Sequence, residues 1–84
     1  MDKSLTTREW AVLVVLLREL RRKEGLGQAD LARLLGRPQS LVSDIESGQR
    51  RVDVYELRVI CGHLGLSLGE FIARWEAALA EVPA

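Results

Sequence analysis

The chain has 84 residues, with twelve Lys or Arg balanced by twelve Asp or Glu, a single Cys and an ordinary apolar content of 48%. That length makes one domain over residues 1–84, near the size at which one core suffices, and leaves too little chain to enclose a substrate cavity as well, so an enzyme is not expected. The lone Cys61 cannot close an internal disulfide, and with no secretory signature the chain is most simply cytoplasmic.

Residues 1–6 carry no pattern and read as a frayed tail. A first helix is predicted from Thr6 or Thr7, with Glu9 as its acidic first-turn residue, to Glu24, where Gly25 stops it. At about 100° per residue Trp10, Leu13, Leu17 and Leu20 share the inward face. Ala11, Val12, Val14 and Val15 fall on other faces, so the first half of this helix is apolar nearly all round and needs a cover. In its second half Arg18, Glu19, Arg22 and Lys23 mark a wet side, and the alternation of these cations with Glu19 and Glu24 is that of a solvated face. The apolar run Trp10 to Leu17 is much shorter than the ~20 residues of a membrane span. It also runs into RELRRKEG with no small-residue cleavage site, so neither an anchor nor a signal peptide is expected.

The stretch from Gln28 to Gly48, QADLARLLGRPQSLVSDIESG, organises the rest. Leu31, Ala32, Leu34 and Leu35 recur at helical spacing, Gly36, Arg37 and Pro38 break the period, and Val42 and Ile45 resume it. This predicts a helix over Gln28 to Leu35, a corner, and a second helix over Pro38 to Ser47 with Gly48 as its stop. Gly36 supplies the positive φ of a sharp reversal, and Pro38 suits a first helical turn. With Val42 and Ile45 inward, Gln39, Ser40, Ser43 and Asp44 point away, together with Leu41. A core helix has no use for that outer row of short polar side chains, whereas the major groove of DNA does. Residues 28–48 therefore read as a helix-turn-helix with a recognition helix.

Arg50 and Arg51 follow in a short loop. Asp53 with Glu56 then opens a fourth helix, whose inward stripe is Val54, Leu57, Ile60, Cys61 and Leu64, with Tyr55 and Val59 off that stripe. Gly65 ends it. Ser67 with Glu70 opens a fifth helix with Leu68, Phe71, Ile72, Trp75 and Leu79 inward. Trp10 and Trp75 are large enough to seal the seam between first and last helices, with an interface role as the alternative.

Through LRELRRKEGLGQADLARLLG, QSLVSDIESG and LRVICGHLGLSLGEF, in that order and at that spacing, residues 17–71 resemble the phage-repressor-like Xre/Cro helix-turn-helix proteins. The resemblance implies an all-α fold, a five-helix lambda-repressor-like DNA-binding domain, here with an extended C-terminal helix. Pro38 stands where the family usually caps its recognition helix with Ser or Thr, and Gly27 where it usually has Ser or Asn. The resemblance also implies a partly buried salt bridge between Arg21 and Glu46, a pairing that specifies geometry more than it adds stability.

Zero net charge argues against a nucleic-acid partner until its distribution is considered. Residues 18–51 hold eight Lys or Arg against five acids, and residues 52–84 two against five, so the cations sit with the helix-turn-helix. The expected function is sequence-specific recognition of double-stranded DNA. Gln39, Ser40, Leu41, Ser43 and Asp44 would meet base edges, and Gln28, Arg37, Arg50 and Arg51 would hold phosphates. The competing expectation is a protein-interaction subunit, antitoxin-like or an adaptor, with weak DNA binding. Cys61 reads as a small core hydrophobe and His63 as a surface residue at a helix C-terminus. With one His and no Cys pair, neither a metal site, a catalytic set nor a cofactor is expected.

Apolar residues beyond one domain's needs point to a homodimer built from Val12, Val14, Val15, Trp75, Leu79 and Val82, with Tyr55 and Val59 adding to it. Such a two-fold pair would set its recognition helices about 34 Å apart and call for a palindromic operator. The alternative is that the fifth helix folds back over the first helix of its own chain.

Overall fold

A computed structural model describes residues 7–81. Five helices follow in order: α1 (Arg8–Lys23), α2 (Gln28–Leu35), α3 (Gln39–Glu46), α4 (Val54–His63) and α5 (Leu68–Glu81). Their ends are set locally. Thr7 caps α1 by accepting the Trp10 N–H at 3.2 Å. Asp53 and Glu56 exchange side-chain and backbone bonds at the start of α4, and Ser67 and Glu70 do the same before α5. Gly27 has no side chain to cap α2, so only the reverse half of the box forms there, with Asp30 Oδ2 accepting the Gly27 N–H at 2.7 Å.

The corner between α2 and α3 is made by Gly36 at φ 66°, a left-handed conformation that costs a residue with a Cβ but not Gly. The Arg37 N–H reaches back to the Ala32 carbonyl at 3.0 Å and closes the end of α2. Pro38 lies one place earlier than the sequence predicts. It is the extended N-cap residue of α3, with ψ 149°, and not its first helical residue. Its carbonyl accepts the Leu41 N–H at 3.0 Å, so Pro38 closes the first turn through its backbone while its side chain caps nothing.

The core collects Leu13, Val14, Leu17 and Leu20 from α1, Leu31 and Ala32 from α2, Val42 and Ile45 from α3, and Leu57, Ile60 and Cys61 from α4, with Leu64 just beyond it and Phe71 from α5. Phe71 and Cys61 are wholly out of solvent. On α1 and α4, one position each differs from the sequence expectation. Val14, expected off the inward face, is only 7% exposed. The reason is that α1 is covered on two sides, by α3 and α5, which widens its buried stripe to Leu13, Val14, Leu17, Leu20 and Arg21. Val54, expected inward, is 69% exposed, because it is the first residue of α4 and projects past the elements that cover the rest of that helix.

The C-terminal half of α5 lies along α1 of its own chain. Arg8 Nη2 donates to the Leu79 carbonyl at 2.6 Å, and Trp75 Nε1 donates to the Glu9 carbonyl at 3.0 Å. This is the fold-back arrangement, and it occupies both inward aromatic and backbone groups of α5. Among the described residues no helix is long and apolar enough to cross a membrane.

Candidate nucleic-acid interface

The α3 helix is held from behind by an ion pair. Arg21, only 6% exposed, sends Nε to Glu46 Oε2 at 2.6 Å and Nη2 to Glu46 Oε1 at 2.8 Å, and its Nη1 bonds the Leu26 carbonyl at 2.7 Å. Gln28 Nε2 adds a third donor to Glu46 at 3.1 Å, tying the start of α2 into the same network. Burial pushes the Glu46 carboxyl up, and the bonds from Arg21 and Gln28 more than offset it, leaving the group below its ordinary value. With all of these donors converging on one carboxylate, α1, α2 and α3 are locked in a single geometry.

In front of that lock, α3 presents a row of polar side chains. Gln39 and Ser40 are exposed, and Ser43 and Asp44 are half-buried. Leu41 departs from the outward row. It is half-buried, packs against the core and lines a small apolar pocket with Leu35, Ile45, Tyr55, Val59 and Ile60. Its place four residues before inward Ile45 turns it toward α4 and away from the polar row.

The cations expected to flank α3 are not equally available. Arg50 is forked onto Glu56, with Nη1 to Oε1 at 3.2 Å and Nη2 to Oε2 at 2.9 Å, and its Nη1 also donates to the Arg51 carbonyl. Arg37 Nη1 stands 4.0 Å from the same carboxylate. The bond from Arg50, then that from the Asp53 N–H, holds the Glu56 carboxyl below its ordinary value, and Glu56 in turn raises the Arg50 guanidinium. Arg51 turns its guanidinium over the Trp10 ring at 5.7 Å from the centroid, a cation–π contact. Gln28 is engaged with Glu46 as above. Two cations outside the expected set also stand beside α3: Arg18 and Arg22 of α1 line a polar groove with Gln28, Ser43, Glu46 and Ser47. Their helical position, one turn before and one residue after Arg21, is the signal that would have found them.

Of the apolar residues assigned to an interface, Val14 is part of the chain's own core and is withdrawn from that set. Trp75, Leu79, Val12 and Val59 are half-buried, Val15 is 40% exposed, Tyr55 is 72% exposed, and Val82 lies outside the described residues. Among the described residues no three His, Cys, Asp or Glu are grouped to hold a metal ion. Cys61 is fully buried, and burial pushes its thiol up to about 11.

Two helices joined by a Gly-cornered turn, with polar side chains outward on the second and a buried ion pair fixing it, define a helix-turn-helix domain. The family model described as a helix-turn-helix domain matches residues 12–75. An XRE-family like protein from Pseudomonas syringae pv. tomato str. DC3000 is 37% identical, with a TM-score of 0.81, over 90% of this chain and 93% of that one. The chain belongs to the Xre family of helix-turn-helix DNA-binding proteins. Two further structures share the fold. One is the clp gene regulator ClgR from Corynebacterium glutamicum, at 23% identity and TM-score 0.77, over 88% of this chain and 79% of that one. The other is the restriction-modification controller protein C.Esp1396I, as a tetramer with its natural 35 base-pair operator, at 20% identity and TM-score 0.79, over 89% of this chain and 99% of that one. The chain matches no curated protein.

Proposed function

We propose that this chain is a transcriptional regulator that reads a specific site on double-stranded DNA as a cytoplasmic homodimer, with no enzymatic activity and no cofactor. The observation that carries the proposal is the row Gln39, Ser40, Ser43 and Asp44 on α3, presented outward by a helix whose back is pinned by Arg21 and Glu46. Gln39 pairs with adenine through its amide, and Asp44 accepts from cytosine N4, each worth ~1–3 kcal/mol of discrimination. Leu41, turned toward α4, reaches a thymine methyl only from the edge of that row. Gln28, Arg37, Arg50 and Arg51 flank the row as phosphate ligands, and Arg50 must exchange Glu56 for phosphate to serve. The 35 base-pair operator complex of the fold relative C.Esp1396I supports an oligomer on DNA.

The test is site selection from a random duplex library, followed by single-base variants of the selected site. Gln39→Ala and Asp44→Ala should each relax preference at one base position and leave the others unchanged. Unaltered preferences at every position in both variants would remove α3 as the reader.

The dimer rests on what α5 leaves uncovered along α1. Val12, Val15, Leu16, Ala11 and Ala78 line an open apolar groove, rimmed by Glu19 and Glu81. Closing a second copy over it buries apolar surface that water now meets. Two linked modules also compensate for zero net charge, since the second half-site contact is effectively intramolecular. Sedimentation at tens of micromolar should give a dimer mass that Val15→Glu reduces to the monomer. A monomer mass for the parent chain, unchanged in that variant, would overturn the dimer and leave the self-covered domain.

A further inference from the structure

Neither Arg18 nor Arg22 makes a hydrogen bond or an ion pair with a described residue, whereas Arg21 between them is fully engaged. Both line a polar groove of about 220 Å³ against α3, together with Gln28, Ser43, Glu46 and Ser47. The one acid in it, Glu46, already takes two bonds from Arg21 and one from Gln28, so it offers little to a further cation. Arg18 nevertheless lies close enough to help hold the Glu46 carboxyl down. The groove therefore has two surplus positive charges and the hydroxyls of Ser43 and Ser47. Ser43 belongs both to this groove and to the outward row of α3, so a group held here lies directly beside what that row reads.

From this placement we infer that the groove between α1 and α3 is a phosphate clamp, in which Arg18 and Arg22 grip the sugar-phosphate backbone of the duplex. The inference rests on the DNA-binding function proposed above and relocates part of its electrostatics from the loop after α3 to α1. The chemistry fits a bridging phosphodiester. Guanidinium forks match its two free oxygens, and a hydroxyl adds a neutral donor alongside. Fixed cations unspent inside the fold contribute their whole charge on binding, whereas a cation held on a carboxylate must first leave it.

The experiment is a salt titration of the full chain on random duplex DNA, comparing Arg18→Gln/Arg22→Gln with a charge-matched control, Arg58→Gln/Arg74→Gln, on α4 and α5. Gln keeps part of the aliphatic stem, and far-ultraviolet circular dichroism checks the fold of each variant. In the Arg18/Arg22 variant, affinity at ~0.1 M salt should fall at least tenfold and the log–log salt slope should become shallower by about 1.8, two phosphate contacts at ~0.9 each. Arg18→Lys/Arg22→Lys should restore most of the slope, since a point charge serves as well for counterion release, and base preferences should not change in either variant. Equal losses in the groove variant and the control would overturn the clamp and leave the DNA-binding reading standing. A parent chain that binds no duplex even at low salt would overturn both.

Discussion

The two flanks of α3 carry arginines in opposite states. On the α1 side, Arg21 is consumed by Glu46 in the interior while Arg18 and Arg22 remain unspent at the surface. On the α4 side, the order is reversed: the surface arginines Arg50 and Arg37 face Glu56, and among the described residues no arginine is buried there. One flank thus uses its ion pair to fix the position of the helix, and the other uses it to hold surface cations on a carboxylate. Counting Lys and Arg along the sequence cannot separate these states. What matters is which acid each cation reaches after folding.

The largest difference should be in stability. Arg21→Ala takes both guanidinium bonds from the buried Glu46 carboxylate, leaving it the Gln28 bond and the more distant Arg18, and should cost about 3 kcal/mol, read as a lowered denaturation midpoint. Arg50→Ala breaks a half-exposed pair, screened by water, and should cost ~1 kcal/mol or less. Equal losses at the two sites would abolish the distinction between the flanks.

Acid should drain stability from both flanks in the same direction. The Glu46 and Glu56 carboxyls sit below their ordinary value of 4.5 in the folded chain. The unfolded chain therefore binds more protons as pH falls, so the stabilisation is complete at neutral pH and is lost through the folded-state values. Thermal midpoints should be level above pH ~6 and drop below pH ~5. Glu56→Gln should make that drop slightly shallower, and a midpoint rising into acid would contradict the assignment.

The smallest effect, and the one that most sharpens the contrast, is on DNA binding. Glu56→Gln keeps an oxygen for the Asp53 N–H and so keeps the cap of α4, while removing the charge that holds Arg50. Affinity for random duplex at ~0.1 M salt should rise several-fold, and the gain should vanish in an Arg50→Ala background. Weaker binding by Glu56→Gln would mean that the carboxylate presents Arg50 to phosphate instead of withholding it.

Features encoded by neighbours in sequence were legible in advance. The α2 helix, the Gly36 corner, and the Asp53/Glu56 and Ser67/Glu70 caps all depend on residues within one turn of each other. The phage-repressor resemblance supplied the Arg21 to Glu46 pairing, which spans α1 and α3 and follows from no local rule. Pro38 and Val54 were misplaced at helix ends, where periodicity is weakest, whereas Val14 and Leu41 were misplaced because a second element covers a face that periodicity treats as empty. Covering α1 from two sides buried Val14, and Leu41 is drawn into a pocket that it shares with Tyr55, Val59 and Ile60 of α4. Arg50 finds its partner on α4 six residues away, a separation with no helical signature. Arg18 and Arg22 keep the solvent access expected of them, but alternation with Glu19 and Glu24 along the chain says nothing of the groove they share with Ser43 and Ser47.

Cys61, the lone thiol, sits in the last turn of α4 with no solvent contact, and its proton is held up to about pH 11. A thiol reagent at neutral pH meets neither the sulfur nor its thiolate while the helices stay together. Modification must then wait for the chain to open, so its rate is the intrinsic thiol rate scaled by the fraction of molecules open at any instant. The molecule thus carries one internal clock for its own opening. Any DNA that binds the closed form should slow that clock in proportion to how much of the protein it occupies.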